Sequence, residues 1–160
     1  MTNEIIIETL QSKFGNKIIS HTVEYDTLII EIDSNTNIEI LSFLKNEFQE
    51  PFNFLTTLAG LHYPNNTSKE LGVMYQLKNL STNMSIRLKA YMDINTPEIK
   101  SVTSLFPTAN WMERQEFDFF GIQFIGHPDL RRILNMDEMD YHPMRKEYKL
   151  EDGTRDDKED

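Results

Sequence analysis

The sequence predicts an α+β fold: a mixed sheet of about five strands with helices packed on it, followed by an extended C-terminal segment. Three observations carry this. Runs rich in β-branched or alternating residues occur in pairs, stretches of helical apolar spacing flank them, and regular spacing stops after Gly121 while charge continues. No internal repeat or low-complexity segment interrupts the pattern.

The elements follow in order. Ile6, Ile7, Leu10 and Phe14 recur at helical spacing between the capping residues Thr2 and Asn3 and the stop residue Gly15. Residues 18–25 and 28–32 form a hairpin about Asp26 and Thr27. Ser34, Asn35 and Thr36 offer caps for a second helix through Ile38, Leu41, Leu44, Lys45 and Phe48, which Pro51 ends. The run FNFLTTLAGLHY (52–63) is nearly continuous in apolar residues and predicts a central strand covered on both faces. LGVMYQLKN and MSIRLKAYM make a second hairpin, the latter alternating Ile86, Leu88 and Ala90 with Arg87 and Lys89.

Thr96 and Pro97 predict a short helix over 98–106, broken by Pro107. Pro107 in turn opens a helix with Ala109, Met112, Glu116, Phe117 and Phe120 on roughly one side and Gly121 as its left-handed stop. Core packing is the simplest role for at least two of Trp111, Phe117, Phe119 and Phe120. IQFI is a short extended piece, and His127 stays out of the helical region because Pro128 follows. Leu130, Ile133 and Leu134 fit one helical turn or an extended path equally. The chain thus divides into an α+β domain (1–121), an extended partner-binding segment (122–148) and an acidic tail (149–160) expected to be disordered.

Composition narrows the chemistry. With no cysteine, thiolate metal sites, disulfides and cysteine nucleophiles are excluded. A net charge of -10 argues against nucleic acid and against direct attraction to an anionic membrane, so membrane association is expected only through partners. The first residues read as neither signal peptide nor membrane span. No GxGxxG or GxxxxGK[ST] loop is present to cradle a nucleotide.

The densest run of charged and aromatic residues is 107–147. Glu113, Glu116 and Asp118 with His127 could form an acid-base or metal-assisted site. Ion pairing is the simpler account, since Arg114 and Asp118 stand four apart on one helix and Arg131, Arg132, Arg145 and Lys146 are close in sequence. Histidines lack any HExxH spacing. A surface made to be covered by a partner accounts best for alternating charges interleaved with aromatic residues.

ANWMERQEFDFFGIQFIGHPDLRRIL (Ala109 to Leu134), followed by HPMRKEY (His142 to Tyr148), resembles the signature of the thirty-kilodalton subunit family of NADH:quinone oxidoreductase, respiratory complex I. The resemblance continues more loosely through SVTSLFP and FNFLTTLAGLHYP. The chain departs from the family pattern at Gln115, Tyr141, Lys149 and His62.

The resemblance implies a cofactor-free structural subunit of the peripheral arm, on the cytoplasmic side of the cell inner membrane. It would have no catalytic residues of its own and would meet other peripheral-arm subunits near the quinone-reducing end. NADH, FMN, iron-sulfur clusters and quinone would belong to partner subunits. It implies interface roles for Glu113, Arg114, Asp118, His127, Asp129, Arg131, Arg132, His142, Arg145 and Lys146. Two alternatives stand beside it: the equivalent subunit of a ferredoxin-, formate- or hydrogen-linked complex, and a stand-alone enzyme using Glu113, Glu116, Asp118 and His127.

Overall fold

The computed structural model describes residues 2–147, and the tail expected to be disordered (149–160) lies outside the described residues. Helix α1 spans Asn3–Phe14 and Gly15 ends it at a positive φ of 55°. Strands β1 (Ile18–Glu24) and β2 (Thr27–Ile32) form the expected hairpin. Its two-residue turn is Tyr25 and Asp26, both left-handed, one position earlier than the sequence suggested. A 3-10 turn at Ser34–Thr36 leads into α2 (Asn37–Asn46).

Strands β3 (Phe54–His62), β4 (Leu71–Lys78) and β5 (Ser85–Met92) complete a five-stranded sheet of order β1-β2-β5-β4-β3. The β2 and β5 pairing is parallel and the others are antiparallel, so the sheet is mixed. Along β2, β4 and β5, the side chains of Leu28, Ile30, Ile32, Val73, Tyr75, Leu77, Ile86, Leu88 and Ala90 lie in register on one face and are buried. The core sits on this face, with Ile6 and Leu10 of α1 and Ile40, Leu41 and Leu44 of α2 in the same cluster.

Two expectations change. Strand β3 is not central but at the edge of the sheet. A register shift between Leu55 and Thr57 lets Leu55 and Leu58, three apart, sit opposite the core residues Leu77 and Tyr75. That bulge breaks alternation and makes an edge strand read like a doubly buried one. The helix expected over 98–106 is instead a strand, β6 (Glu98–Lys100), followed by one turn in which Leu105 and Phe106 donate to the Val102 carbonyl. Glu98 and Lys100 are exposed while Ile99 is buried, a two-residue period that the Thr-Pro cap signal overrode.

Helix α3 (Ala109–Phe120) ends at Gly121, left-handed with φ 74°, and β7 (Gln123–Ile125) returns to pair in parallel with β6. Beyond β7 the chain has no regular element as far as residue 147, so Leu130 to Leu134 form no helical turn. Among the described residues no helix is long and apolar enough to cross a membrane.

Helix α3 approaches β3 so closely that a Cβ on Gly60 would lie 2.5 Å from Phe120 Cδ2 and 2.6 Å from Glu116 Oε2. Gly60→Ala is therefore expected to lower unfolding free energy by about 1–3 kcal/mol through overpacking, read by denaturant titration. A change within error would mean that α3 shifts freely.

Candidate functional site

Helix α3 carries three acidic side chains inward, which is unusual for carboxylates. Each is tied to a different part of the chain. Glu113 accepts from Ser101 Oγ at 2.6 Å and from the Val102 amide at 2.7 Å, fixing the turn after β6. Burial dominates its environment and pushes its carboxyl up to about 7, although both hydrogen bonds oppose the shift. Glu116 accepts from the Gly60 amide at 2.7 Å, clamping α3 to the edge strand, and burial raises its pKa also.

Asp118 is fully buried and both of its oxygens are filled. Oδ2 accepts from the backbone amides of Ile133, Leu134 and Asn135, and Oδ1 accepts from Arg132 Nη1 at 2.7 Å and Asn135 Nδ2 at 3.0 Å. Burial alone would raise its pKa. The amides of Asn135 and Leu134, the Asn135 side chain and Arg132 outweigh that and hold it well below the usual carboxylate range.

The segment from His127 to Glu147, the strap, also caps α3. The last four carbonyls of a helix have no partner within it. Here Gly121 N donates to Phe117 O, Arg132 and His142 meet Asp118 O, Met144 N donates to Phe119 O, and Arg145 Nε donates to Phe120 O. Two of the capping groups are guanidinium cations, favourable at the negative end of the helix dipole. Gly121 must be glycine on two counts: its φ is positive, and a Cβ would fall 2.5 Å from the His142 ring.

The other residues singled out in the sequence join the same scheme. Arg114 does not pair with Asp118 as helical spacing suggested; it stacks 4.9 Å from the Trp111 ring and donates to the carbonyls of Arg131 and Arg132. His127 contacts Asn110 O through Nε2 and accepts from the Asp129 amide at Nδ1, an arrangement that assigns the proton to Nε2. Asp129 and Arg131 form a bidentate pair at the surface. Arg132 also donates to the carbonyls of Met139 and Tyr141, bridging two parts of the strap. Lys146 donates its amide to His62 Nδ1 at 3.0 Å, and burial lowers the His62 pKa, favouring the acceptor form.

Sequence reasoning did not identify Gly60, Ser101 or Asn135 as partners of these carboxylates. They lie 56, 12 and 17 residues away, and no local spacing encodes such contacts. The carboxylates act as structural acceptors, enclosed and facing donors. A cleft of about 330 Å³ is lined by Ile5, Thr9, Phe43, Glu47, Phe48, Gln49 and Glu50, none of which belongs to the charged run. Among the described residues no three His, Asp or Glu side chains are grouped to hold a metal ion.

With Arg132, His142 and Arg145 turned to α3, the strap leaves apolar side chains outside as well as charged ones. Leu134 is 64% exposed, Met136 69% and Met144 55%, and Trp111 on α3 is 64% exposed.

The family described as respiratory-chain NADH dehydrogenase, 30 Kd subunit, matches residues 30–154, which includes the end of β2, α2, β3 to β7, α3 and the strap. The chain belongs to this family. It is 40% identical over 133 residues to the corresponding NADH-quinone oxidoreductase subunit of Caulobacter vibrioides, covering 83% of this chain and 66% of that protein. To the corresponding subunit of Salinispora arenicola it is 34% identical over 144 residues, covering 90% of this chain and 59% of that one. The chain thus spans under two thirds of the length of these two relatives.

Among solved structures, the trypsin-resistant fragment (1-134) of Nqo5 is similar with TM-score 0.64 and 26% identity, over 81% of this chain and all of that one. A chain of an archaeal respiratory membrane complex, the membrane-bound sulfane sulfur reductase, has TM-score 0.76 over 92% of this chain and 85% of that one; at 21% identity it shows the shared fold.

Two outcomes follow from the buried carboxylates. Asp118→Asn places an amino group against at least one donor and unbalances the Arg132 charge, so about 3–5 kcal/mol of stability should be lost. Trypsin should then cut first after Arg131 or Arg132, which mass spectrometry of early fragments reads; an unchanged cutting order contradicts the tether.

For Glu113, the folded pKa lies above the unfolded value, so the folded state holds an extra proton between pH 4.5 and about 7. Its contribution is full below that window and is lost as pH rises through it. Glu113→Gln should remove this slope, so the melting-temperature difference between variant and wild type should shift in the variant's favour from pH 5 to pH 7.5. A difference constant with pH would show that Glu113 titrates normally.

Proposed function

We propose that this chain is a structural subunit in the peripheral arm of an NADH:quinone oxidoreductase, with no redox group or catalytic residue of its own. The family match through the strap is the observation that carries this reading, since the strap organises most of the charged residues and presents the apolar ones. NADH, FMN, iron-sulfur clusters and quinone would reside in neighbouring subunits. The chain would sit on the cytoplasmic side of the inner membrane and reach it through those neighbours.

In this reading the residues of the strap divide their work. Asp118, Arg132, His142 and Arg145 hold its path, while Trp111, Leu134, Met136 and Met144 are the anchors for a neighbouring subunit to cover. Asp129, Arg131 and Lys146 lie at the rim, where exposed charges set orientation more than affinity. The second reading is the equivalent subunit of a related complex with another electron donor. The fold shared with a chain of a sulfane sulfur reductase complex supports keeping it, because fold does not select the donor.

Affinity purification from a mild-detergent extract tests both: flavin- and NADH-binding subunits support the first reading, hydrogenase-like or ferredoxin-linked subunits the second, and no co-purifying subunit overturns both. Leu134→Asp with Met136→Asp should leave the melting temperature of the isolated chain nearly unchanged, since exposed substitutions alter stability by about 0.5 kcal/mol or less. The same variant should lose most of the co-purifying subunits; normal assembly would show that the outer face of the strap is not an interface.

A further inference from the structure

Helices α1, α2 and α3 all contribute to the core on one face of the sheet, and strand alternation defines what the other face carries. On β5 the outward residues are Arg87, Lys89 and Tyr91, and on β4 they are Met74, Gln76 and Lys78; all are half-buried rather than covered. Gln76 stands opposite Arg87 and Met74 opposite Lys89, so these residues form one continuous strip.

The charges on this strip run against the rest of the chain. Acids outnumber bases in the whole sequence by 26 to 16, yet Lys78, Arg87 and Lys89 meet no carboxylate among the described residues. Arg87 donates to the Gln76 side chain at 2.8 Å, and Glu31 on the neighbouring strand is already paired with Lys69 at 2.8 Å. A sheet face that had only to be soluble in a chain of this composition would more simply carry acids. Half-buried cations on one face of paired strands suit an extended acidic segment, whose carboxylates can reach successive side chains two residues apart.

The strip also adjoins the end of the strap. Lys146 Nζ lies 5.8 Å from the Tyr63 ring, Tyr63 packs edge-on against Tyr91 at 6.0 Å, and Tyr91 is two residues from Lys89 on the same face. A neighbour that covers the strap and continues past Tyr63 arrives on the cations.

From these observations we infer that the open sheet face is a second docking surface, occupied in the assembled complex by an acidic extended segment of a neighbouring subunit, with Lys78, Arg87 and Lys89 as its contacts. This inference rests on the assembly reading. It adds a partner chemistry and a site that lie outside the charged run.

The test uses the detergent-extracted complex carrying the full chain. Treatment with a carbodiimide, which joins amines to carboxylates in direct contact, should link Lys78 or Lys89 to an Asp or Glu of another subunit. Acetylation of both lysines should be roughly five-fold slower in the complex than in the purified chain, as expected of charges desolvated at an interface. Lys78→Glu with Lys89→Glu should leave the melt of the purified chain unchanged and lower the amount of co-purifying subunit.

Equal acetylation in both states, or links to Glu24 and Glu31 of the same chain only, overturns the inference while leaving the assembly reading intact. Binding of the purified chain to vesicles of equimolar phosphatidylglycerol and phosphatidylcholine that the double variant loses would overturn it in favour of a membrane surface. A wild-type chain that brings down no subunit overturns both.

Discussion

A carboxylate without exposed surface is strongly destabilising unless donors fill its oxygens, and Asp118 is filled by one short stretch of chain. The amides of Ile133, Leu134 and Asn135 are consecutive, so satisfying one oxygen curls the backbone around it like an anion-binding nest. Arg132, immediately before that curl, takes the other oxygen and reaches forward to the carbonyls of Met139 and Tyr141. One side chain therefore fixes the middle of the strap and the way it turns from there. The capping of the α3 carbonyls by His142, Met144 and Arg145 follows along the chain from that turn. Without the Asp118 nest these later contacts would each have to order a long, irregular loop unaided.

This explains what was legible in the sequence and what was not. Helices α1, α2 and α3 and both hairpins follow from apolar period, caps and turn residues, all of which act over a few positions. The edge position of β3 was hidden because a bulge at Leu55 to Thr57 imitates a strand buried on both faces. Strand β6 was hidden because its partner β7 lies about 25 residues away, and a three-residue parallel pairing leaves little local trace. Charge suffered the same limit. Arg114 and Asp118 have ideal spacing for a helical ion pair, but Asp118 faces the interior and Arg114 follows the strap.

The charged run is conspicuous in the sequence, where its chemistry reads as a surface awaiting a partner. In the structure its three helix carboxylates, with Arg132 and Arg145, are turned inward to hold the chain to itself. Glu113 and Glu116 secure α3 to the β6 turn and the edge strand, and Asp118 secures the strap. A buried network of this kind favours one arrangement over its competitors, because leaving any member unpaired is costly. A strap already shaped in this way would present Leu134, Met136 and Met144 without first having to order, which preserves more of the binding energy for the contact itself.

The two exposed surfaces then have different physical characters. Around Trp111 and the strap, apolar side chains stand above a rim of mixed charge, a composition that favours water-excluding contact. On the open sheet face half-buried cations stand without carboxylate partners among the described residues, so recognition by them would depend on matched charge and would weaken as salt rises. Tyr63 and Tyr91 join them at the end of β3. A neighbour that engages both would be anchored by the first and oriented by the second. Disrupting the anchor should weaken assembly at any ionic strength, whereas disrupting the sheet contacts should matter most at low salt, where screening is weakest.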